Sequence, residues 1–216
     1  MKFEQLYDLF QKDVDYQSLI TPFLKYLKKD KPIIDAGCGS GHLMNYLSSL
    51  GYDLIGIDKN PLMLKLASER LISNNQTPKL FQHNLNKKIP FKVNQIISFL
   101  DVINYFKKPE KLIKTLTNAL LVNGTLIIDL YKEPFRYLEE GKVGNYNYLW
   151  KVIPFNKKIK HIITITSNDN NFNYKLTQYI YSLDKYLKIF KKYNLLVKKV
   201  SGFDHRKHYF ILKKVK

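Results

Sequence analysis

Three glycines at alternate positions, Gly37, Gly39 and Gly41, follow the apolar pair 33–34 and the acid Asp35. Glycine within ordered structure costs about 0.5–1 kcal/mol relative to alanine, so such a cluster requires a reason. A tight turn alone needs one glycine. Where a strand passes into a helix, a main chain without side chains lets a nucleotide-like ligand approach closely. We therefore expect Gly37 and Gly39 to lie under a ligand, and Gly41 to let the next helix approach the strand.

A second acid, Asp58, ends the apolar run LIGID about 20 residues further on, the spacing at which an acid accepts hydrogen bonds from ribose hydroxyls. Dinucleotide sites favour G-x-G-x-x-G, but the third glycine of that pattern would fall on His42. Asp35 at the turn suits a ligand with ammonium and sulfonium groups and repels a pyrophosphate. The pattern disfavours a nicotinamide oxidoreductase.

Alternating elements must carry these residues. Residues 3–29 have apolar positions at helical spacing and predict one or two helices. Five strands then alternate with helices, and the helix that begins at Pro109 is expected to stop at Asn123–Gly124. The predicted strands are IIDAG, YDLIGID, PKLFQH, VNQIISFL and TLIIDLY. This alternation predicts an α/β fold with a doubly wound, mostly parallel sheet of seven strands, two of them near the C-terminus.

The pattern changes after residue 140, where segments with period-two alternation are separated by polar turns. We interpret residues 144–182 as an antiparallel β cap inserted after the fifth strand. Residues 1–143 and 183–216 then form the core. Tyrosines of the cap either pack it onto the sheet or form a floor for a planar substrate. His161 could point inward as a base or be structural.

The sequence resembles the class I S-adenosylmethionine-dependent methyltransferases, including small bacterial members with a β-rich cap. DAGCGSG is similar to their glycine-rich motif, LIGID to their ribose-binding strand end, FQHNL to their adenine-contacting turn, and ISFLDVINYF to their fourth strand and the following loop. The resemblance implies a Rossmann-like fold that binds S-adenosyl-L-methionine and releases S-adenosyl-L-homocysteine. The cofactor-binding residues that it implies are Asp35, Ala36, Gly37, Gly39, Gly41, Asp58, Lys59, Met63, Asn84, Leu85 and Phe99.

One residue departs from the family pattern. Asn84 stands where members usually carry Asp, and its side-chain oxygen can still accept from the adenine amino group, without charge assistance. Asp101 and Tyr105 are the candidate catalytic residues beside the acceptor, although Asp101 could instead cap the loop. Tyr7 and Tyr16 could contact the sulfonium through their ring faces or belong to the core.

Cysteine and histidine are sparse. Cys38 is the one cysteine and is expected to pack rather than react, and no Cys/His cluster has the spacing of a zinc site. His205 and His208 are expected to be structural or to lie at the surface. No catalytic metal is predicted.

The chain of 216 residues has 36 Lys and Arg against 18 Asp and Glu, a net charge of +18. This excess suits a phosphorylated metabolite or nucleic acid, or it reflects the residue usage of an AT-rich genome. We expect a small-molecule acceptor, with RNA (tRNA or rRNA) as the alternative and a non-catalytic cofactor-binding regulator as a further one. No N/D-P-P-Y/F/W motif of DNA amino-methyltransferases follows the fourth strand. We expect a cytoplasmic, bacterial protein without membrane association, and the oligomeric state stays open.

Overall fold

The computed structural model describes residues 3–143, 145–166 and 171–216. The predicted cap boundary at residue 144 and residues 167–170 of the cap lie outside this range. The α-helices are α1 (Phe3–Gln11), α2 (Tyr16–Ile20), α3 (His42–Ser49), α4 (Pro61–Ser73), α5 (Pro109–Ala119) and α6 (Leu183–Lys192). Short 3₁₀ helices span Thr21–Tyr26 and Val102–Tyr105. The strands are β1 (Ile33–Ala36), β2 (Leu54–Asp58), β3 (Leu80–Gln82), β4 (Val93–Ser98), β5 (Leu120–Tyr131), β6 (Tyr137–Val143), β7 (Tyr146–Phe155), β8 (Lys158–Thr166), β9 (Asn171–Tyr179), β10 (Leu195–Val200) and β11 (Lys207–Lys214).

Seven strands form the main sheet in the order β10-β11-β5-β4-β1-β2-β3. β1 pairs in parallel with β2 and β4, while β11 runs antiparallel to β5 and β10. Asp35 is level with Gly56 of β2 and Ile97 of β4, so the carboxyl ends of these three strands meet at one edge. This is the doubly wound sheet predicted from the alternation, and its ligand edge is the carboxyl edge of β1.

The prediction that the helix beginning at Pro109 continues to Asn123–Gly124 was wrong. α5 ends at Ala119, and β5 begins with Leu120, which is fully buried and pairs with Val93. Residues 121–123 are exposed, so the apolar Leu121 and Val122 do not extend the buried face of α5. The strand instead takes a register shift, with Asn123 at φ 64°, before regular pairing resumes.

A second sheet of four antiparallel strands, β6 to β9, follows the fifth core strand. It confirms the expected antiparallel insertion but begins at Tyr137, upstream of the predicted start. β6 escapes sequence analysis because it is exposed along nearly its whole length and lacks an alternating apolar face.

α1 packs between this second sheet and the core. Leu6 is fully buried against Ile163 and Ile165 of β8, and the Phe10 ring packs on the rings of Tyr148 and Trp150. The opposite side of α1 faces the carboxyl edge of the main sheet through contacts given below. Among the described helices, none is long and apolar enough to cross a bilayer.

Candidate active site

The turn after β1 contains the three glycines, all at positive φ, between 53° and 88°. A β-carbon added to Gly37 would lie 2.7 Å from Val102 Cγ2, and one added to Gly41 would lie 2.8 Å from the Ala67 β-carbon of α4. A β-carbon on Gly39 would meet nothing within 4 Å. Gly37 and Gly41 therefore permit close packing, in the case of Gly41 against α4 rather than a strand, and Gly39 leaves the main chain open.

Asp58 lies across from this turn at the end of β2. Its Oδ2 accepts from the Gly39 amide at 3.2 Å, and its Oδ1 accepts from the Asn60 amide at 2.8 Å. Asn60 in turn caps α4, since its Oδ1 accepts from the Leu62 amide at 2.9 Å. The carboxylate is thus held in place while further lone pairs remain for ligand hydroxyls.

Asp35 is only 3% exposed, yet it is one of the residues that line the cavity. Within the described part of the chain, no side chain or amide donates a hydrogen bond to it. Burial, reinforced by the nearby charge of Asp58, raises the pKa of Asp35 to about 7. A cation in the cavity would stabilise the ionised form, so Asp35 is suited to a positively charged ligand.

These groups line one cavity of about 690 Å³ at the carboxyl edge of the sheet. The structure brings most of the predicted site residues together there. The predicted residues in its lining are Tyr7, Tyr16, Asp35, Gly37, Gly39, Gly41, Asp58, Lys59, Met63, Asn84, Leu85, Phe99 and Tyr105. Leu176 of β9 also contributes, so the cap reaches the same cavity.

Two predicted residues lie outside the lining. Ala36 is fully buried, and its carbonyl accepts from Ser98 Oγ at 2.8 Å. Asp101 lies behind the cavity wall, with one carboxylate oxygen bound by Lys207 Nζ at 2.6 Å and the other by the Gln178 amide. Direct contact between these two residues and a ligand stays a prediction.

His161 also lies outside the lining, and both of its ring nitrogens are engaged. Its Nδ1 accepts from Trp150 Nε1 at 3.1 Å, and its Nε2 lies 2.9 Å from Gln178 Oε1. Indole N–H can only donate, so Nδ1 is unprotonated and Nε2 carries the proton. Burial lowers the pKa of His161, in keeping with this neutral ring. The arrangement supports the structural interpretation of His161 over the base.

An ion cluster that sequence analysis missed holds α1 over the glycine turn. Asp8 Oδ1 accepts from His42 Nε2 at 2.9 Å and from Arg70 Nη2 at 2.5 Å, and Arg70 Nε donates to the Ser40 carbonyl at 3.0 Å. Burial alone would raise the pKa of Asp8, but these partners hold it well below its ordinary value. Asp8 lies on the side of α1 opposite Leu6 and Phe10, among polar positions, so the sequence carried no local signal that it is buried.

A family model for the methyltransferase domain matches residues 9–198, nearly the whole of the fold described above. The chain belongs to this methyltransferase family. The predictions of fold class and family are therefore confirmed.

Solved structures share this fold, and a viral relative bears the same assignment. An S-adenosylmethionine-dependent methyltransferase from Clostridium acetobutylicum superposes with a TM-score of 0.82 at 20% identity, over 99% of this chain and 98% of the other. The sugar N-methyltransferase KedS8 of Streptoalloteichus gives 0.80 at 15% identity, over 97% and 93%. The candidate methyltransferase 235L of Invertebrate iridescent virus 6 is 32% identical over 158 residues, which span 61% of this chain and 60% of the viral protein.

Proposed function

We propose that this methyltransferase transfers a methyl group from S-adenosylmethionine to a small-molecule acceptor enclosed between the glycine turn and the cap. The observation that carries the proposal is the combination, in one cavity, of an open main chain at Gly39 and a buried, unpartnered acid at Asp35. Such a surface suits a nucleoside that carries positive charge.

The residues present fit this cofactor. Asp58 would receive the ribose hydroxyls, Asn84 and Leu85 would hold the adenine, and Asp35 would face the cationic end, since all four line the same cavity. Met63 and Phe99 supply apolar walls. When bound, the cofactor supplies a methyl group that its sulfonium already activates.

The protein then mainly has to align the acceptor, and positioning alone can lower a barrier by up to about 7–11 kcal/mol. Tyr7, Tyr105 and Leu176 form the wall on the side of the cap. A phenol has an ordinary pKa of about 10. Burial of Tyr7, together with the negative charge of Asp101, raises the pKa of Tyr7 further, whereas Tyr105 is 39% exposed. Both hydroxyls therefore stay protonated and act as hydrogen-bond donors that orient the acceptor.

RNA is the second candidate acceptor, and the observation in its favour is the charge at the cavity mouth. Lys107, Lys108 and Lys111, around the N-terminus of α5, line the cavity in a chain with a net charge of +18. Such lysines would bind phosphates in a salt-dependent manner. The enclosure of the cavity by α1 and the cap favours the small molecule.

Two measurements test the proposal. In calorimetry, S-adenosylmethionine and S-adenosylhomocysteine should bind the parent with micromolar affinity, and Asp58→Ala should weaken both. The matched control is Asp53→Ala, because Asp53 lies just before the same strand but pairs at the surface with Lys79. Folded parent protein that gives no heat with either ligand would overturn the assignment.

The second measurement follows label from methyl-labelled cofactor into panels of small amines and sugars and into total tRNA and rRNA. Transfer to a small molecule supports the leading proposal. Transfer to RNA alone, with an affinity that falls steeply as salt is added, would replace it with the second candidate. Tight cofactor binding without transfer to either panel or to copurified partners would favour a non-catalytic regulator.

A further inference from the structure

The loop after β4 adopts a backbone that its residues do not favour. Leu100 and Asp101 follow one another at φ 61° and φ 57°, in the left-handed region that bulky side chains avoid. Leu100 of this step and the following Val102 and Tyr105 all line the cavity. The loop geometry therefore shapes the acceptor side of the site, and something outside the loop must hold it.

Buried ionic groups lie directly behind this step. The Asp101 amide donates to Asp129 Oδ1 at 2.8 Å, and Lys207 Nζ lies 2.6 Å from Asp101 Oδ1 and 2.9 Å from Asp129 Oδ2. The side chains of Lys207 and Asp129 are 5% and 0% exposed. Lys207 thus joins the loop to β5 and β11, and it is the one cation within reach of both carboxylates among the described residues.

The same cluster continues into the cap. The Gln178 amide donates to the second Asp101 oxygen, Gln178 Oε1 accepts from His161, and His161 accepts from Trp150. Each donor in this chain meets an acceptor, so its direction is fixed from the indole to the carboxylate. Gln178 is fully buried and His161 is 6% exposed, so water does not compete for these bonds.

We propose that Lys207 is the positioning residue of the methyl-transfer site, holding the left-handed Leu100–Asp101 step and, through Asp101 and Gln178, fixing the cap over the acceptor. Lys207 does not line the cavity and so acts through the loop. The inference rests on the proposed acceptor site for its catalytic consequence, but its structural content does not depend on which acceptor is used.

The first test removes the ammonium group without leaving an extra buried charge. Lys207→Met alone leaves two carboxylates together and risks unfolding. The double variant Asp129→Asn with Lys207→Met keeps the net charge of the three groups at −1, since one carboxylate replaces two carboxylates and one ammonium. The matched control is Lys213→Met, an exposed lysine on the same strand.

Hydrogen exchange and fluorescence give readouts that need no acceptor. We expect exchange of the Asp101 amide in the double variant to quicken at least about tenfold, with S-adenosylhomocysteine affinity within about threefold of the parent. Trp150 is the only tryptophan in the sequence, so its emission should shift to longer wavelength as the cap loosens. Unchanged exchange and unchanged emission would overturn the proposal, as would equal effects in the Lys213→Met control.

A second variant decides the matter if the double variant does not fold. Gln178→Met leaves Lys207 and both carboxylates in place and removes the bonds of Gln178 to Asp101 and to His161, so Trp150 emission should shift while the Asp101 amide stays protected. A Trp150 signal identical to that of the parent would contradict the link to the cap.

With any acceptor found by the label-transfer panel, the Lys207 variants should lower kcat at least about tenfold and leave the KM for the cofactor nearly unchanged. Absence of transfer in the parent would count against the proposed function and leave the exchange result standing.

Discussion

Replacing Asp35 by Asn should make the protein more stable and its cofactor binding weaker. The pKa of Asp35 rises from 3.8 to about 7 because the carboxyl is buried beside Asp58. A raised acid pKa in the folded state means that ionisation opposes folding. At about 1.36 kcal/mol for each of roughly three pKa units, the destabilisation approaches about 4 kcal/mol once Asp35 is fully ionised. Asn has the same shape without the charge and should recover much of it.

The effect of Asp35 on the free energy of unfolding changes with pH in a defined direction. Below pH 3.8 the group is protonated in both states and contributes nothing. The destabilisation grows as the pH rises from 3.8 to about 7 and is constant above that. The stability advantage of Asp35→Asn, measured by urea unfolding without ligand, should therefore be small at pH 4 and largest above pH 7.

Ligand binding should respond in the opposite direction. A cationic ligand requires the Asp35 carboxylate, so S-adenosylmethionine affinity of the parent should rise about tenfold between pH 6 and pH 8. In Asp35→Asn the part of this rise that comes from ionisation of Asp35 should be absent. The difference between the pH profiles of the parent and the variant then excludes the titration of the ligand itself. Calorimetry in buffers of different ionisation enthalpy should show greater proton release on binding in the parent than in Asp35→Asn. An Asn variant that is less stable than the parent, or that binds the cofactor equally well at pH 8, would refute the reasoning.

Three further predictions concern the cavity and the helix α1 that packs over it. Gly39→Ala should cost about 1–2 kcal/mol of stability because of its positive φ, and it should weaken cofactor binding at least about tenfold. Gly41→Ala should lose more stability, because its β-carbon would lie 2.8 Å from that of Ala67. Denaturant unfolding measures the stability of both variants, and calorimetry measures their cofactor affinity. Asp8→Asn should destabilise by on the order of 2 kcal/mol above pH 4, with the difference vanishing as acid protonates Asp8 in the parent. Tyr105→Phe should lower kcat with little change in cofactor affinity.

Each of these has an outcome that would contradict it. Equal stability losses in the two glycine variants would mean that Gly39 is not the open position. A pH-independent effect of Asp8→Asn would mean that charge does not hold α1 in place. A Tyr105→Phe enzyme with parent kcat would remove that hydroxyl from the acceptor site.

Local sequence determined the elements that carry the cofactor side of the site. A short apolar strand, alternate glycines and an acid after the next strand predicted the turn and Asp58, because these residues belong to one strand–helix–strand unit in which Gly39 and Asp58 are 19 positions apart. The alternation of strands and helices likewise fixed the doubly wound sheet. The sequence did not predict which neighbours Gly37 and Gly41 pack against, because these contacts are with Val102 and Ala67 elsewhere in the chain.

Tertiary structure alone decided the acceptor side. Asp101, Asp129 and Lys207 lie 28 to 106 positions apart in the chain, and a buried ion cluster leaves no periodic pattern in a sequence that has 36 basic residues. The exposed strand β6 and the end of α5 at Ala119 were hidden for a related reason, because which residues are buried is settled by packing between elements. Sequence therefore predicted the turn and the acid of the proposed cofactor site, and only the folded chain shows which groups hold the loop and the cap around it.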